Sequence, residues 1–278
     1  MPEFLPFLTI VFLFGLMVGS FLNVVIMRGA RSERLAGRSH CDSCGKILAW
    51  YELIPIVSFL YQKGRCLHCG AVFSVQYPLV ELGTGVGFTA AAWYVLNYAQ
   101  WTSTVFFSII IGGVFIAIAA TIVIFVADMA YQIIPNGAVL VLTLLGFFMV
   151  ALRNGFVCLQ NGFCASSSSI GALNDIAASA GFTLFLFALW FFSHGKAMGF
   201  GDVKLIGATS LVLGFPASLI AFLFSFWLGG IAGIILLLAC RSTLTSKIPF
   251  GPFILLGSVL AFFLSDIALS VAGFSYFF

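Results

Sequence analysis

The sequence predicts an all-α polytopic membrane protein of about eight transmembrane helices, with one small cytoplasmic insert that carries four cysteines. Three observations predict it. The 278-residue chain is 62% hydrophobic and 8% charged, with a mean hydropathy of +1.17, whereas soluble domains average about 45–50% apolar residues. Eight apolar runs approach the roughly 20 residues that cross a bilayer. One long polar block, residues 28–78, holds seven of the twelve Lys and Arg residues and four of the seven cysteines.

The runs fall at roughly 4–27, 79–99, 104–127, 136–152, 172–193, 199–214, 216–240 and 249–274. The first reads as a retained helix. It has Glu3 and no basic residue before it, and it is longer than a signal-peptide core. The fourth and sixth are short, and Gly214-Phe215-Pro216 separates the sixth from the seventh. The expected organisation is therefore a first transmembrane helix (1–27), the four-cysteine insert (28–78) and a transmembrane core (79–278). A second polar stretch, about 153–171, contains CLQNGFCASSSS.

The basic residues orient the spans. Cytoplasmic loops are rich in Lys and Arg. With the 28–78 block cytoplasmic and the N-terminus outside, eight alternating spans leave only Arg153 on the outer side, so 11 of 12 basic residues agree. The net charge of +3 offers no basic surface of the kind that binds nucleic acid.

The cysteines of the insert form CDSCG (Cys41, Cys44) and CLHCG (Cys66, Cys69), two C-x2-C pairs separated by 21 residues. That pattern suits a four-thiolate zinc site of structural type. The glycine after each pair permits the tight turn that aims backbone N–H groups at sulfur. A cytoplasmic location argues against disulfides. His40 and His68 lie beside the cysteines as alternative ligands. Zinc would staple an insert with too few apolar residues to fold alone. Cys158 and Cys164, in the outer stretch, are either a disulfide or two free thiols. Cys240 reads as a small apolar residue at a span end.

Carboxylates at membrane depth are costly and point to function. The candidates are Glu81, Asp128, Asp202 and Asp266. Asp128 ends the third span in FVADMAYQIIPN and Asp202 opens the sixth in AMGFGDVKL. The topology puts both at the cytoplasmic edge, although they are 74 positions apart. Two carboxylates at one depth can share a proton, so that one activates water while the other hydrogen-bonds the carbonyl under attack. That is the apparatus for peptide hydrolysis without a covalent intermediate. Gly199 and Gly201 would let a substrate backbone approach Asp202. Lys204 would hold a substrate carboxylate or tune Asp202. The three histidines supply no Ser–His–Asp set.

At these residues the chain resembles the type 4 prepilin peptidases, the bifunctional leader peptidases and N-methyltransferases of type IV pilus and type II secretion systems. The resemblance rests on GSFLNVVIMR (Gly19 to Arg28), the two cysteine pairs, YPLVELGTG (Tyr77 to Gly85), DMAYQIIPN (Asp128 to Asn136) and MGFGDVKL (Met198 to Leu205), all in the family's order. The chain departs at Ala197, where many members have Gly, and at Gly29-Ala30, where many have Leu-Pro; neither removes a catalytic group. The resemblance implies a G-x-G-D aspartyl protease of the bacterial inner membrane, with Asp128 and Asp202 as its catalytic pair. It implies cleavage of a basic leader after Gly, at the cytoplasmic face, in prepilins or pseudopilins. It further implies methylation of the new N-terminus from S-adenosylmethionine, associated with the cysteine insert.

Methyl transfer needs a neutral amine in line with the methyl group, mainly a matter of positioning. No glycine-rich Rossmann signature is present, so the donor site would lie between the insert and the first spans. Glu81 is the candidate contact for the amine or the donor, against the reading of a buried structural acid. Asn23 reads as an interhelical hydrogen-bonding residue. Two other functions compete with the peptidase. An ion-coupled transporter would place its acids near the bilayer centre, between paired broken helices. A non-catalytic zinc-bearing scaffold would tolerate loss of either aspartate. A peptidase without methyltransferase activity is disfavoured by the intact four-cysteine insert.

Overall fold

The computed structural model describes residues 4–31, 33–98, 104–160, 166–196, 198–239 and 249–271. The described residues are almost entirely helical, as expected, and divide into two units, Met1–Ala127 and Asp128–Phe278.

The first unit contains α1 (Leu5–Ala30), the short α2 (Val57–Tyr61), α3 (Gln76–Tyr98) and most of α4 (Thr104–Tyr131). α1 and α3 touch backbone to backbone. A Cβ on Gly15 would come within 2.7 Å of Gly85 Cα, and one on Gly19 within 2.7 Å of Glu81 Cα. Small residues four apart let helices approach this closely where lipid offers no hydrophobic drive for association. Buried Asn23 donates its amide to the Tyr77 carbonyl at 3.1 Å, the interhelical bond expected of it. Val11, Phe88, Ala92 and Ile111 form the apolar core, with Phe88 stacked on Phe115 at 4.3 Å between ring centroids.

The second unit contains α5 (Asn136–Gln160), α6 (Ser166–Phe192), α7 (Phe200–Leu213), α8 (Ala217–Leu238) and α9 (Gly251–Val271). α7 is its centre. It contacts α5, α6, α8 and α9, and most of its residues are buried. Its 14 residues rise about 21 Å, short of a hydrocarbon core about 30 Å thick. The carbonyls at its C-terminus therefore need partners from the protein, and Arg153 of α5 supplies them. Its guanidinium donates to the Leu213, Leu211 and Val212 carbonyls at 2.7, 3.1 and 3.2 Å. Asp175 of α6 balances the charge, accepting from Arg153 at 3.2 Å and from the Phe215 N–H at 2.7 Å. At the other end of α7, Lys204 donates to Asn136 Oδ1 at the start of α5. Start lies beside start and end beside end, so α5 and α7 run parallel, as alternate spans of one sheaf must.

The span lengths and the polar stretch refine the sequence reading. All eight apolar runs become helices, and among the described residues six are long and apolar enough to cross a bilayer: Leu5–Ala30, Gln76–Asn97, Phe107–Tyr131, Asn136–Asn154, Gly171–Phe192 and Ala217–Leu238. α7, by contrast, is cut short by the Gly214 break. The polar stretch 153–171 is largely helical, because α5 continues to Gln160 and α6 begins at Ser166. Cys158 thus lies on a helix. Cys164 and Cys240 fall outside the described residues.

Replacing Arg153 with Ala should orphan three carbonyls and leave Asp175 unpaired. The expected cost is on the order of 3 kcal/mol, read as a lower midpoint of thermal unfolding in detergent. An unchanged midpoint would show that the helix end finds other partners.

Candidate active site and metal centre

Asp128 sits in the last turn of α4, where the Gln132 N–H closes the helix on the Asp128 carbonyl at 2.9 Å. Gln132 has a left-handed φ of +54° and turns the chain toward Pro135 and α5. Asp202 is the third residue of α7. Its Oδ2 accepts the Gly199 N–H at 3.2 Å, so the carboxylate caps its own helix. Both side chains are buried, at 5% and 6% exposure.

Gly251, at the start of α9, brings the two together. Its backbone N–H lies on the Asp202 side, and a Cβ on it would lie 2.5 Å from Asp128 Oδ2. The two carboxylates are near enough to feel each other's charge. Asp128 Oδ2 is fully buried with no hydrogen-bond partner among the described residues. The negative charge of Asp202 also lies at the positive end of the α7 dipole. The site thus pairs a hydrogen-bonded buried acid with one whose Oδ2 lacks a partner among the described residues, an arrangement suited to general acid–base chemistry on a water molecule.

The glycines of G-x-G-D differ in use. A Cβ on Gly201 would press within 2.9 Å of Ile134 Cδ1, so the space expected to admit a substrate backbone is filled by the chain itself. A Cβ on Gly199 would meet nothing closer than Asp202 Oδ2, at 3.6 Å, so an approach remains there. Lys204 is exposed; its amine bonds Asn136 at 2.8 Å and lies 5.1 Å from the Phe200 ring centroid. Among the described residues it forms no ion pair with Asp202. Sequence reasoning missed Gly251, Ile134, Arg153 with its partner Asp175, and Glu52. Asp175 carried a signal, a lone acid inside an apolar run. Gly251 carried none beyond the Pro-Phe-Gly-Pro break in which it sits.

In the insert, the Sγ atoms of Cys41, Cys44, Cys66 and Cys69 all lie within 4.8 Å of one another. Four thiolates around zinc at about 2.3 Å would be about 3.8 Å apart, the separation of Cys41 and Cys69. The donor set and spacing therefore fit a tetrahedral metal ion. Each pair is a knuckle with the same bonds. The Gly45 N–H reaches the Cys41 carbonyl at 2.8 Å, and the Gly70 N–H reaches that of Cys66 at 2.9 Å. Both glycines have a left-handed φ, +70° and +71°, so the expected glycine turns are present. Backbone N–H groups of Cys44 and Ser43 draw the Cys41 thiol down to about 7. The Ala71 N–H favours the Cys69 thiolate, but desolvation and the adjacent thiols push it up to about 11. Without a cation the four sulfurs cannot all ionise. The histidines stay outside the cluster. His68 contacts Lys46 Nζ at 3.1 Å and Glu52 Oε1 at 3.5 Å.

Glu81 is buried in α3, and its Oε2 accepts the Ile56 N–H at 2.7 Å. Ile56 is a β-branched residue held at φ +60°, with the Val57 N–H bonded back to the Pro55 carbonyl at 2.6 Å. Such a conformation costs on the order of 1–3 kcal/mol and persists only where neighbours enforce it. Glu81 is one such neighbour.

Two family models match the chain. The bacterial peptidase A24 N-terminal domain matches residues 13–95, and the type IV leader peptidase family matches residues 115–234. The chain is 33% identical over 270 residues to a prepilin leader peptidase/N-methyltransferase of Bacillus subtilis, covering 95% of this chain and 96% of that protein. It is 33% identical over 239 residues to a protein of the same name from Myxococcus xanthus, covering 86% and 64%. A third, from Aeromonas salmonicida, is 31% identical over 299 residues, covering 94% and 93%. No solved structure matches.

Two outcomes follow from this geometry. The purified chain should carry one thiolate-bound metal ion by elemental analysis, and Cys41→Ser or Cys66→Ser should remove it. Acidification should release it, because protons compete for the thiolates; retention in either variant would show that the cysteines are not the ligands. Gly251→Ala should drive Asp128 from its place and abolish chemistry at the aspartates while the metal stays bound. Full activity in that variant would dissociate Gly251 from the site.

Proposed function

The chain belongs to the type IV leader peptidase family, and from that premise we propose that it is a bifunctional prepilin leader peptidase and N-methyltransferase. It is a multi-pass protein of the bacterial inner membrane, with the N-terminus outside and both the insert and the aspartates facing the cytoplasm. Its substrates are type IV prepilins or type II secretion pseudopilins, cleaved after the Gly that ends a basic leader.

The observation that carries this reading is the pair of buried carboxylates gathered around Gly251. One carboxylate, as base, takes a proton from water; the other, protonated, donates to the scissile carbonyl, and the leaving amine collects a proton from the pair. The protons belong to the pair rather than to either residue. A buried acceptor without a partner, as at Asp128 Oδ2, is costly, and a bound water or shared proton would satisfy it. Gly199 is the open edge along which the substrate backbone lies. Gly201 contributes by admitting Ile134, and Lys204 fixes the start of α7 to Asn136 and reaches the substrate from the exposed side.

The metal of the insert is zinc, and its role is structural. S-adenosylmethionine supplies the methyl group as co-substrate. Glu81 positions the segment around Ile56 and presents its charge to the substrate amine.

Co-expression with a tagged prepilin, read by intact mass, tests both halves. Wild type should remove the leader and add one methyl group. Asp128→Asn and Asp202→Asn should each slow leader removal by about 10^3-fold or more, leaving full precursor. Precursor processed at the wild-type rate in both variants would exclude the aspartate mechanism. Glu81→Gln separates two roles, since a glutamine oxygen can still accept the Ile56 N–H. The expected product is cleaved but unmethylated pilin; normal methylation would reduce Glu81 to an anchor.

A further inference from the structure

We propose that the segment Trp50–Tyr61 of the insert is a membrane-interface anchor, whose outer face lies at the headgroup boundary of an anionic leaflet. Its polarity is inverted relative to a soluble surface. Glu52 and Gln62 are buried, at 6% and 7% exposure, while Trp50, Tyr61, Leu60 and Val57 stand out at 77%, 77%, 68% and 59%. The interior is held by local bonds. Glu52 Oε2 accepts the Ala49 N–H at 2.8 Å, the Gln62 amide meets the Glu52 carbonyl at 3.5 Å, and the Phe59 ring fills the space beside Gly64. Large apolar and aromatic side chains exposed in one short segment mark a site of interaction.

Geometry and charge favour lipid as the occupant. Val57, Leu60 and Tyr61 stand at i, i+3 and i+4 of α2, on one side of the helix. Trp50 and Tyr51 extend the patch, their rings edge to face at 5.9 Å. Tryptophan and tyrosine are the side chains that favour the membrane–water boundary. Exposed Lys46, Lys63 and Arg65 flank the segment, and anionic headgroups attract such residues. The bond from Ile56 to Glu81 fixes its height. Glu81 is the sixth residue of α3, so the segment is tied about 8 Å along the axis from the start of a spanning helix. That end of a spanning helix is where interfacial elements meet the leaflet.

The test uses the full chain in phosphatidylethanolamine–phosphatidylglycerol vesicles without substrate. The difference in emission between wild type and Trp50→Phe isolates Trp50. That difference should be lost when the lipids are brominated near the headgroup end of the acyl chain, and it should resist aqueous iodide. Tyr61→Trp, compared with wild type, reports the same face through a second residue and serves if Trp50→Phe folds poorly. Quenching by iodide with no effect of brominated lipid would overturn the proposal. So would shielding that appears only on adding a prepilin, or only at high protein-to-lipid ratio, since the face would then belong to the substrate or to a second copy.

Discussion

Two carboxylates buried side by side in an apolar chain are the constraint on which the second unit depends. Each must be desolvated, and each repels the other. The structure compensates unequally. Asp202 accepts the Gly199 N–H and sits at a helix N-terminus, whereas Asp128 Oδ2 has no partner among the described residues. Such an inequality is what the proposed acid–base chemistry would draw on, because unlike surroundings set two like groups apart. It obliges a residue without a side chain at position 251. It also obliges α7 to begin at a fixed height, since the carboxylate rides on its first turn.

A helix that begins at a fixed height and spans only about 21 Å must end inside the protein. Arg153 and Asp175 are the consequence of that geometry. Their charges cancel and their hydrogen bonds close the backbone of α7 and the turn to α8. The first unit answers a different problem. Its insert buries few apolar groups, so four sulfurs, a pair of glycine turns and the Glu81 bond to Ile56 hold it. Arg31 adds a two-pronged bond to Asp42 and holds that carboxyl below its ordinary range.

The helices were legible because lipid removes the ambiguity of periodicity: a long apolar run can only be a helix there. The four cysteines and the two aspartates were legible for a related reason, since spacing or depth alone makes them improbable without a purpose. What escaped was contact. Nothing in the sequence says that Gly251 faces Asp128, that Ile134 fills the space at Gly201, or that Gly15 and Gly19 meet Gly85 and Glu81. Those facts depend on which helix faces come together. The continuation of α5 to Gln160 escaped because a polar stretch between apolar runs carries no membrane signal, although no proline breaks the helix there.

A double-mutant cycle on leader cleavage tests most directly whether Asp128 and Asp202 form one site. The rate would be measured for wild type, Asp128→Asn, Asp202→Asn and the double variant, with each protein's bound metal and unfolding midpoint as folding controls. Groups that act as a unit are strongly non-additive. The account predicts that the double variant is no slower than the slower single variant. Losses that multiply would show two carboxylates acting independently, and would contradict the shared site.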